Sequence, residues 1–344
     1  MRTQRQPTPL RRTARRPLIK PTSVVLEIGA GSGLLSIIAC SLGAKCVVAI
    51  EANRHLASVA SKIIARNGYE GRIHILNKMS TDVTREEVLA YGEPDVLLSE
   101  ILGTLLLGES ALHYVDDARQ RLCAPGVAVV PESGCQFATP IQSDDIGSIT
   151  SVKQWEGIDL RWFNTLQDTT SLVFTKQYGF RFSSCAYGEL APKEAVLNVD
   201  FSKDAVGVWR GERRQRFQVQ RAGTVHAMMA SWEVYASGKA LVMSTHPDAT
   251  LHNFPRDMQW GQGLQLIEDM DKDGDADTTP TPFVAAAGEW LWLVTRYSRD
   301  GVNLQFQLER ASPPDAAPQQ QPAAASAASA AANGTVDEDM QAID

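Results

Sequence analysis

The sequence predicts an α/β protein: a doubly wound, mostly parallel sheet followed by an antiparallel β domain of barrel type. Three observations carry this expectation. Between residues 24 and 132, short runs rich in Val, Ile and Leu alternate with helical segments. A glycine-rich turn joins the first such run to the first helix. Beyond Pro131 the rhythm changes to strands that alternate apolar with polar residues. Serial βα units build parallel sheets covered on both faces, whereas strands joined by turns build antiparallel ones.

In chain order, Val24 to Ile28, Lys45 to Ile50, Arg72 to Leu76, Asp95 to Ser99 and Val127 to Val130 read as strands buried on both faces. Between the second and third, Leu56, Val59, Ala60, Ile63 and Ile64 recur at helical spacing, and Asn67-Gly68 supplies the stop. In the second half, strands are expected at Gln136 to Ile141, Ser171 to Tyr178, Ala195 to Phe201, Phe217 to Arg221, Thr224 to Ser237, Leu241 to Ser244, Glu289 to Tyr297 and Val302 to Leu308. A stretch at about 145–170, bearing Trp155, Trp162 and Phe163, interrupts this series and reads as a projecting arm. The expected division is a disordered basic arm at 1–23, a ligand-binding sheet domain at 24–132, a β-barrel substrate domain at 133–311 and a disordered Ala/Pro-rich tail at 312–344.

Composition narrows the function. The 344 residues are 44% hydrophobic and 21% charged, with net charge −7. Residues 1–20 hold seven Arg or Lys and no acid; residues 312–344 hold five acids and no base. What remains has 26 bases against 35 acids. A nucleic-acid binder carries positive charge on its folded body, so no direct nucleic-acid site is expected. An acidic body suits a basic substrate drawn in by its field. No apolar run is long enough for a membrane helix, and no membrane association is expected. Cys40, Cys46, Cys123, Cys135 and Cys185 form no CxxC pair, and the six histidines are scattered. No metal site is expected, and reduced thiols fit an intracellular protein, cytoplasmic with the nucleus as a second location. The Arg-rich start resembles a mitochondrial presequence in composition, but Pro7, Pro9 and Pro17 would break its helix.

The strongest local motif is Val25-Leu26-Glu27-Ile28-Gly29-Ala30-Gly31-Ser32-Gly33-Leu34. A dinucleotide fingerprint is G-x-G-x-x-G, presenting a helix N-terminus to a pyrophosphate. Here the glycines fall at 29, 31 and 33, a pattern that resembles methyltransferases using S-adenosyl-L-methionine. That ligand has an amino-acid end instead of a pyrophosphate, and Glu27 suits its ammonium. Glu51, which ends the second strand, is placed to accept two hydrogen bonds from a ribose diol. Met79 and Ser80 follow the third strand, where such a fold places the adenine; Met79 reads equally well as core.

The fourth strand runs into Ser99-Glu100-Ile101-Leu102-Gly103-Thr104, and Gly108-Glu109-Ser110 follows. Two carboxylates converging at a strand end suit a planar cation, because a guanidinium offers five N–H donors in a fixed fork. Taken singly, each acid is as readily a helix-end or solvated loop residue.

The Glu100 and Glu109 pair resembles the double-glutamate hairpin of the protein arginine methyltransferases. Asn253 to Gln262, with Gln259-Trp260, resembles their second active-site loop, in which His usually stands where Gln259 does. That Gln, with Ser-Glu-Ile-Leu-Gly-Thr at the hairpin, is similar to the type III, monomethylating branch, especially its trypanosomatid form. The resemblance covers residue 24 to about 310. It implies a Rossmann-like methyltransferase sheet and a β-barrel, with residues 150–170 as a dimerisation arm and a homodimer as the working form. It further implies S-adenosyl-L-methionine as cofactor and arginine-containing proteins, such as RNA-binding proteins or histones, as substrates. Gln259 would favour stopping after one methyl group, and Trp260 would wall the pocket or serve as barrel core.

Family members carry two helices and a tyrosine-rich segment before the first strand. Here no Tyr precedes Tyr69, and Arg2 to Lys20 shows no helical apolar stripe. The expectation is a chain lacking that cofactor lid, or a truncated version of a longer one, which keeps a second function open: a catalytically impaired, methyltransferase-like scaffold that binds partners through the arm.

Overall fold

A computed structural model describes residues 18–167, 169, 180–207, 211–249, 261–270 and 281–314. Gln259, Trp260, the strand expected at 171–178, residues 1–17 and the tail from 315 lie outside the described residues.

The first sheet comprises β1 (Val24–Ile28), β2 (Cys46–Ile50), β3 (Ile73–Leu76), β4 (Val96–Ser99) and β5 (Ala128–Val130), in the order β3-β2-β1-β4-β5. All its pairings are parallel. Every residue of β1, β2 and β4 is buried, as apolar strands covered on both faces must be. The helices are α1 (Leu34–Ser41), α2 (Arg54–Arg66), α3 (Arg85–Leu89) and α4 (Ala111–Arg121). Local chemistry starts them. Asn53 accepts the amides of His55 and Leu56 at the head of α2, and Thr84 with Glu87 forms a reciprocal cap on α3. The chain runs outward from β1 to β3, then returns to place β4 on the other side of β1. This reversal leaves a crevice at the carboxyl ends of β1 and β4, where open α/β sheets bind ligands.

The second half is antiparallel. Its main sheet holds β6 (Ser133–Gln142), β9 (Gly188–Glu189), β10 (Glu194–Asp200), β13 (Ala227–Ala236), β14 (Ala240–Ser244) and β15 (Gly263–Leu266). β13 is nearly all buried because β6 pairs along one edge and β14 and β15 along the other. A three-stranded sheet holds β11 (Gly211–Gln218), β17 (Trp290–Tyr297) and β18 (Leu304–Ala311); β12 (Gly223–Val225) pairs with β16 (Phe283–Ala285). The side chain of Gln265 on β15 joins the two larger sheets, accepting from Phe306 N at 2.7 Å and donating to Phe306 O at 2.5 Å. These strands are the expected barrel, and with the parallel sheet they belong to one compact unit ending at Ser312. One core cluster spans both, from Leu26 and Leu97 to Trp232 and Leu293.

Three differences from expectation have physical causes. Residues 18–23 are not a loose arm: Ile19 is buried against the sheet, and the Ser23 hydroxyl donates to Asp95 at 3.0 Å. β11 covers 211–218 instead of 217–221, because it lies beside β17 with an exposed, Arg-rich face. The run at 224–237 is two strands, β12 and β13, which pair with different partners. The arm consists of α5 (Asp144–Ile149), a hairpin of β7 (Gln154–Trp155) with β8 (Ile158–Asp159), and a short 3-10 turn at Arg161–Leu166. No helix among the described residues is long and apolar enough to cross a membrane.

Candidate functional site

Two cavities open at the crevice between β1 and β4. The first, about 340 Å³, is lined by Gly29, Gly31, Glu51, Met79, Ser80, Glu100 and Glu109, with Leu56, Ile101 and Tyr114 among its apolar walls. The second, about 550 Å³, shares Gly29, Gly31 and Glu100 and extends past Glu27 to Val234, Val242 and Met243 of the barrel. The cavities therefore meet at the glycine turn and Glu100.

The turn itself is fixed from β2. Gly29 N and Ala30 N both donate to Ile50 O at 3.0 Å, and Gly31 N donates to Glu51 Oε2 at 2.7 Å. Gly29 lies at φ +73°, and a Cβ there would meet Ile101 Cγ2 at 2.6 Å. Gly31 lies at φ +55° with open space where its Cβ would point, a cradle on the cavity wall that a side chain would fill. Gly33 lines neither cavity; it occupies the left-handed position just before α1.

Glu51 is 7% exposed, and its other oxygen accepts Asn53 N at 2.7 Å. Each oxygen keeps lone-pair capacity for a further donor in the cavity. Ser80 is buried and Met79 is 40% exposed, so Met79 is a wall residue and not core. The loop carrying them is held by Arg121, which donates to Ser80 O at 3.1 Å and Val83 O at 2.9 Å while pairing with Asp117.

Glu27 differs from its sequence reading in surroundings. It is 1% exposed, accepts from the Ser36 hydroxyl, and burial pushes its carboxyl up to about 8. At neutral pH it is mostly uncharged until a cation arrives to favour ionisation. Glu100 is pushed up to about 7, chiefly by burial; a hydrogen bond from the Leu102 backbone opposes this, and the nearby Glu109 charge adds to it. Burial also raises Glu109, although that residue stands exposed at the cavity mouth. Glu100 and Glu109 both line the first cavity, and the Glu109 charge acts on Glu100. Ser110, directly after Glu109, adopts a left-handed φ of 58° that is uncommon for a non-glycine residue.

Among the residues lining the two cavities, four are carboxylates (Glu27, Glu51, Glu100 and Glu109) and one is a base, Lys78. Lys78 is already paired with Glu87. Such a site favours cations. Its strand-end acid, glycine cradle and position at the carboxyl ends of central strands fit a nucleoside carrying a cationic amino-acid tail, and the Glu100–Glu109 wall fits a guanidinium. No cluster of His, Cys, Asp and Glu among the described residues is placed to hold a metal ion.

Sequence reading missed Tyr114, Leu56 and Ile101 in the first cavity and Val234, Val242 and Met243 in the second. Ile101 was legible as the residue after Glu100. The barrel residues carried no signal, because only the fold brings β13 and β14 to the strand ends of the first sheet.

The family model for ribosomal protein L11 methyltransferase (PrmA) matches residues 12–129. Protein arginine N-methyltransferase 7 of Danio rerio is 27% identical over 252 residues, covering 71% of this chain and 37% of that protein. Arginine N(omega)-methyltransferase of Streptomyces achromogenes subsp. streptozoticus is 30% identical over 243 residues, covering 70% and 62%. The chain thus spans little more than a third of the Danio relative. The Trypanosoma brucei PRMT1 enzyme-prozyme complex with AdoHcy superposes with a TM-score of 0.67 at 20% identity, covering 87% of this chain and 86% of that one. Arabidopsis thaliana protein arginine methyltransferase 10 follows with a TM-score of 0.60 at 20% identity, covering 84% and 85%. In sequence this chain is similar to protein arginine N-methyltransferase 7 of Danio rerio, and in fold it is similar to solved protein arginine methyltransferases.

Proposed function

We propose that the chain is an S-adenosylmethionine-dependent protein arginine N-methyltransferase producing mainly ω-N-monomethylarginine. The observation that carries the reading is the placement of Glu100 and Glu109 on the same cavity wall as the glycine turn and Glu51. In this reading residues 24–132 hold the cofactor and residues 133–311 shape the substrate side.

Gly29 and Gly31 let the ligand approach the backbone, Glu51 accepts its ribose hydroxyls, and Met79 and Ser80 flank its adenine. Glu27 accepts its ammonium, ionising as it does so. S-adenosylmethionine, when bound, supplies a methyl group on a positively charged sulfur. Glu100 and Glu109 then fix the plane of the incoming guanidinium and offset the repulsion between two cations. They direct one terminal nitrogen along the line of displacement, where positioning alone lowers the barrier substantially. Val234, Val242 and Met243 keep water from the second cavity. By the resemblance alone, Gln259 would favour stopping after one methyl group and Trp260 would wall the pocket; both lie outside the described residues.

The homodimer is part of the proposal. It is supported by the arm, where Trp155, Ile158, Trp162 and Leu166 are 68%, 62%, 62% and 77% exposed, too much apolar surface to leave in water. RNA-binding proteins or histones as substrates, and a cytoplasmic or nuclear location, enter the proposal from the family resemblance; the acidic cavity and five free cysteines are compatible with them. A second reading, methylation of arginine itself, is favoured by the Streptomyces relative, which is named for arginine without the word protein.

The test is incubation with S-adenosylmethionine and either an Arg-rich peptide, a histone or free arginine, followed by mass analysis. Monomethylated peptide supports the first reading. Methylation of free arginine alone supports the second, and no methyl transfer to any of the three contradicts both.

A further inference from the structure

The hairpin that carries the twin glutamates is neither strand nor helix, and much of its anchoring comes from the barrel. Trp232 on β13 and Gln136 on β6 are direct cross-strand partners, 0% and 1% exposed. The indole Nε1 of Trp232 donates to Gly103 O at 2.8 Å. Gln136 Oε1 accepts from Leu106 N at 2.8 Å, and its Nε2 donates to Ser231 O at 2.7 Å. Both anchor points, Gly103 and Leu106, lie between Glu100 and Glu109. The hairpin pinches there so closely that a Cβ on Gly103 would meet Gly108 Cα at 2.9 Å.

A glutamine in such a core needs a reason. Burying an amide costs free energy unless each end finds a partner, and the β6–β13 pairing is made by backbone without it. Its amide bridges the barrel strand to the hairpin at Leu106, and the neighbouring indole repeats the link at Gly103. We infer that Gln136 and Trp232 are positioning residues that hold Glu100 and Glu109 on the cavity wall. The inference rests on the arginine methyltransferase reading for its consequence, though not for its geometry.

The experiment compares Gln136→Leu and Trp232→Phe, which keep bulk but remove the bonds, with Gln265→Leu. Gln265 is equally buried and also bonds backbone across two sheets, through Phe306. Hydrogen exchange is read first, in the chain without cofactor. Exchange across residues 100–110 is expected to quicken about fivefold in the first two variants, as loss of one hydrogen bond allows, and to stay unchanged in Gln265→Leu. In methylation assays the first two should lose about tenfold in kcat/KM for the arginine substrate, with cofactor affinity within about twofold. Conservative Gln136→Asn should restore little, because the shorter side chain does not span the gap. Exchange at 100–110 equal to that of Gln265→Leu in both variants overturns the inference. That comparison stands even if the wild-type chain transfers no methyl group, so the two failures are separable.

Discussion

Glu51 accepts the amide hydrogen of Gly31 at 2.7 Å, so the acid ending β2 fixes the glycine turn that follows β1. One carboxylate thereby shapes the turn and faces the ligand cavity. Glu51→Gln keeps an acceptor for Gly31 but loses the charge and the second acceptor that holds Asn53 N. Charge-assisted hydrogen bonds contribute about 1.5–3 kcal/mol. Isothermal titration should show S-adenosylmethionine affinity falling by about one to two orders of magnitude. Unchanged affinity would remove Glu51 from the site.

Gly31→Ala tests the cradle. An L-residue at φ +55° costs about 1–2 kcal/mol, and its methyl group would also enter the cavity. Gly43→Ala is the matched control, at φ +106° with open space around it and away from both cavities. Thermal melts should show both variants destabilised, while titration shows cofactor binding weakened in Gly31→Ala alone.

Glu100 gives a pH dependence whose sign is fixed. Its carboxyl is held at about 7, chiefly by burial, so near neutrality a proton must leave before the acid can grip a guanidinium. Activity on an arginine peptide should therefore rise through pH 7. Glu109→Gln removes a charge that adds to the shift and should lower Glu100's own titration. Stability runs the other way. The folded chain holds the Glu100 proton more tightly than the unfolded chain does, so its contribution to stability falls as pH rises from about 4.5 to about 7. Glu100→Gln should then raise Tm at pH 8 and leave it nearly unchanged at pH 4. A lower Tm at pH 8 would contradict the assignment.

The exposed arm makes the dimer testable. Trp155→Ser with Trp162→Ser removes two side chains that are more than half exposed and contribute little to the monomer's own core. Sedimentation should show a wild-type dimer and a folded monomeric variant. A wild-type monomer at micromolar concentration would end the dimer proposal.

Much of this was legible in the sequence, and the residues say why. β1, the glycine turn and Glu51 form one local pattern in which strand, turn and helix signals agree. The twin glutamates were legible because Glu100 follows a buried strand directly. β11 was not, since Gly-Glu-Arg-Arg-Gln-Arg-Phe-Gln on an exposed sheet face sends only Phe217 fully inward and leaves little alternation to read. Nor was the contact of Trp232 with Gly103, because it joins residues 129 positions apart. The same holds for Gln136 and Leu106. Local pattern names the acids that line the cavity; the barrel residues bonded to their hairpin come from distant sequence and emerge only on folding.

The central claim is that Glu100 and Glu109 together grip an arginine beside the bound cofactor. Its most direct test is mass analysis of an Arg-rich peptide after incubation with Glu100→Gln and Glu109→Gln proteins, each first shown by titration to bind S-adenosylmethionine. The expected result is monomethylarginine from the wild type and a loss of at least about a hundredfold in either variant. Wild-type levels of methylated peptide from both variants would contradict it.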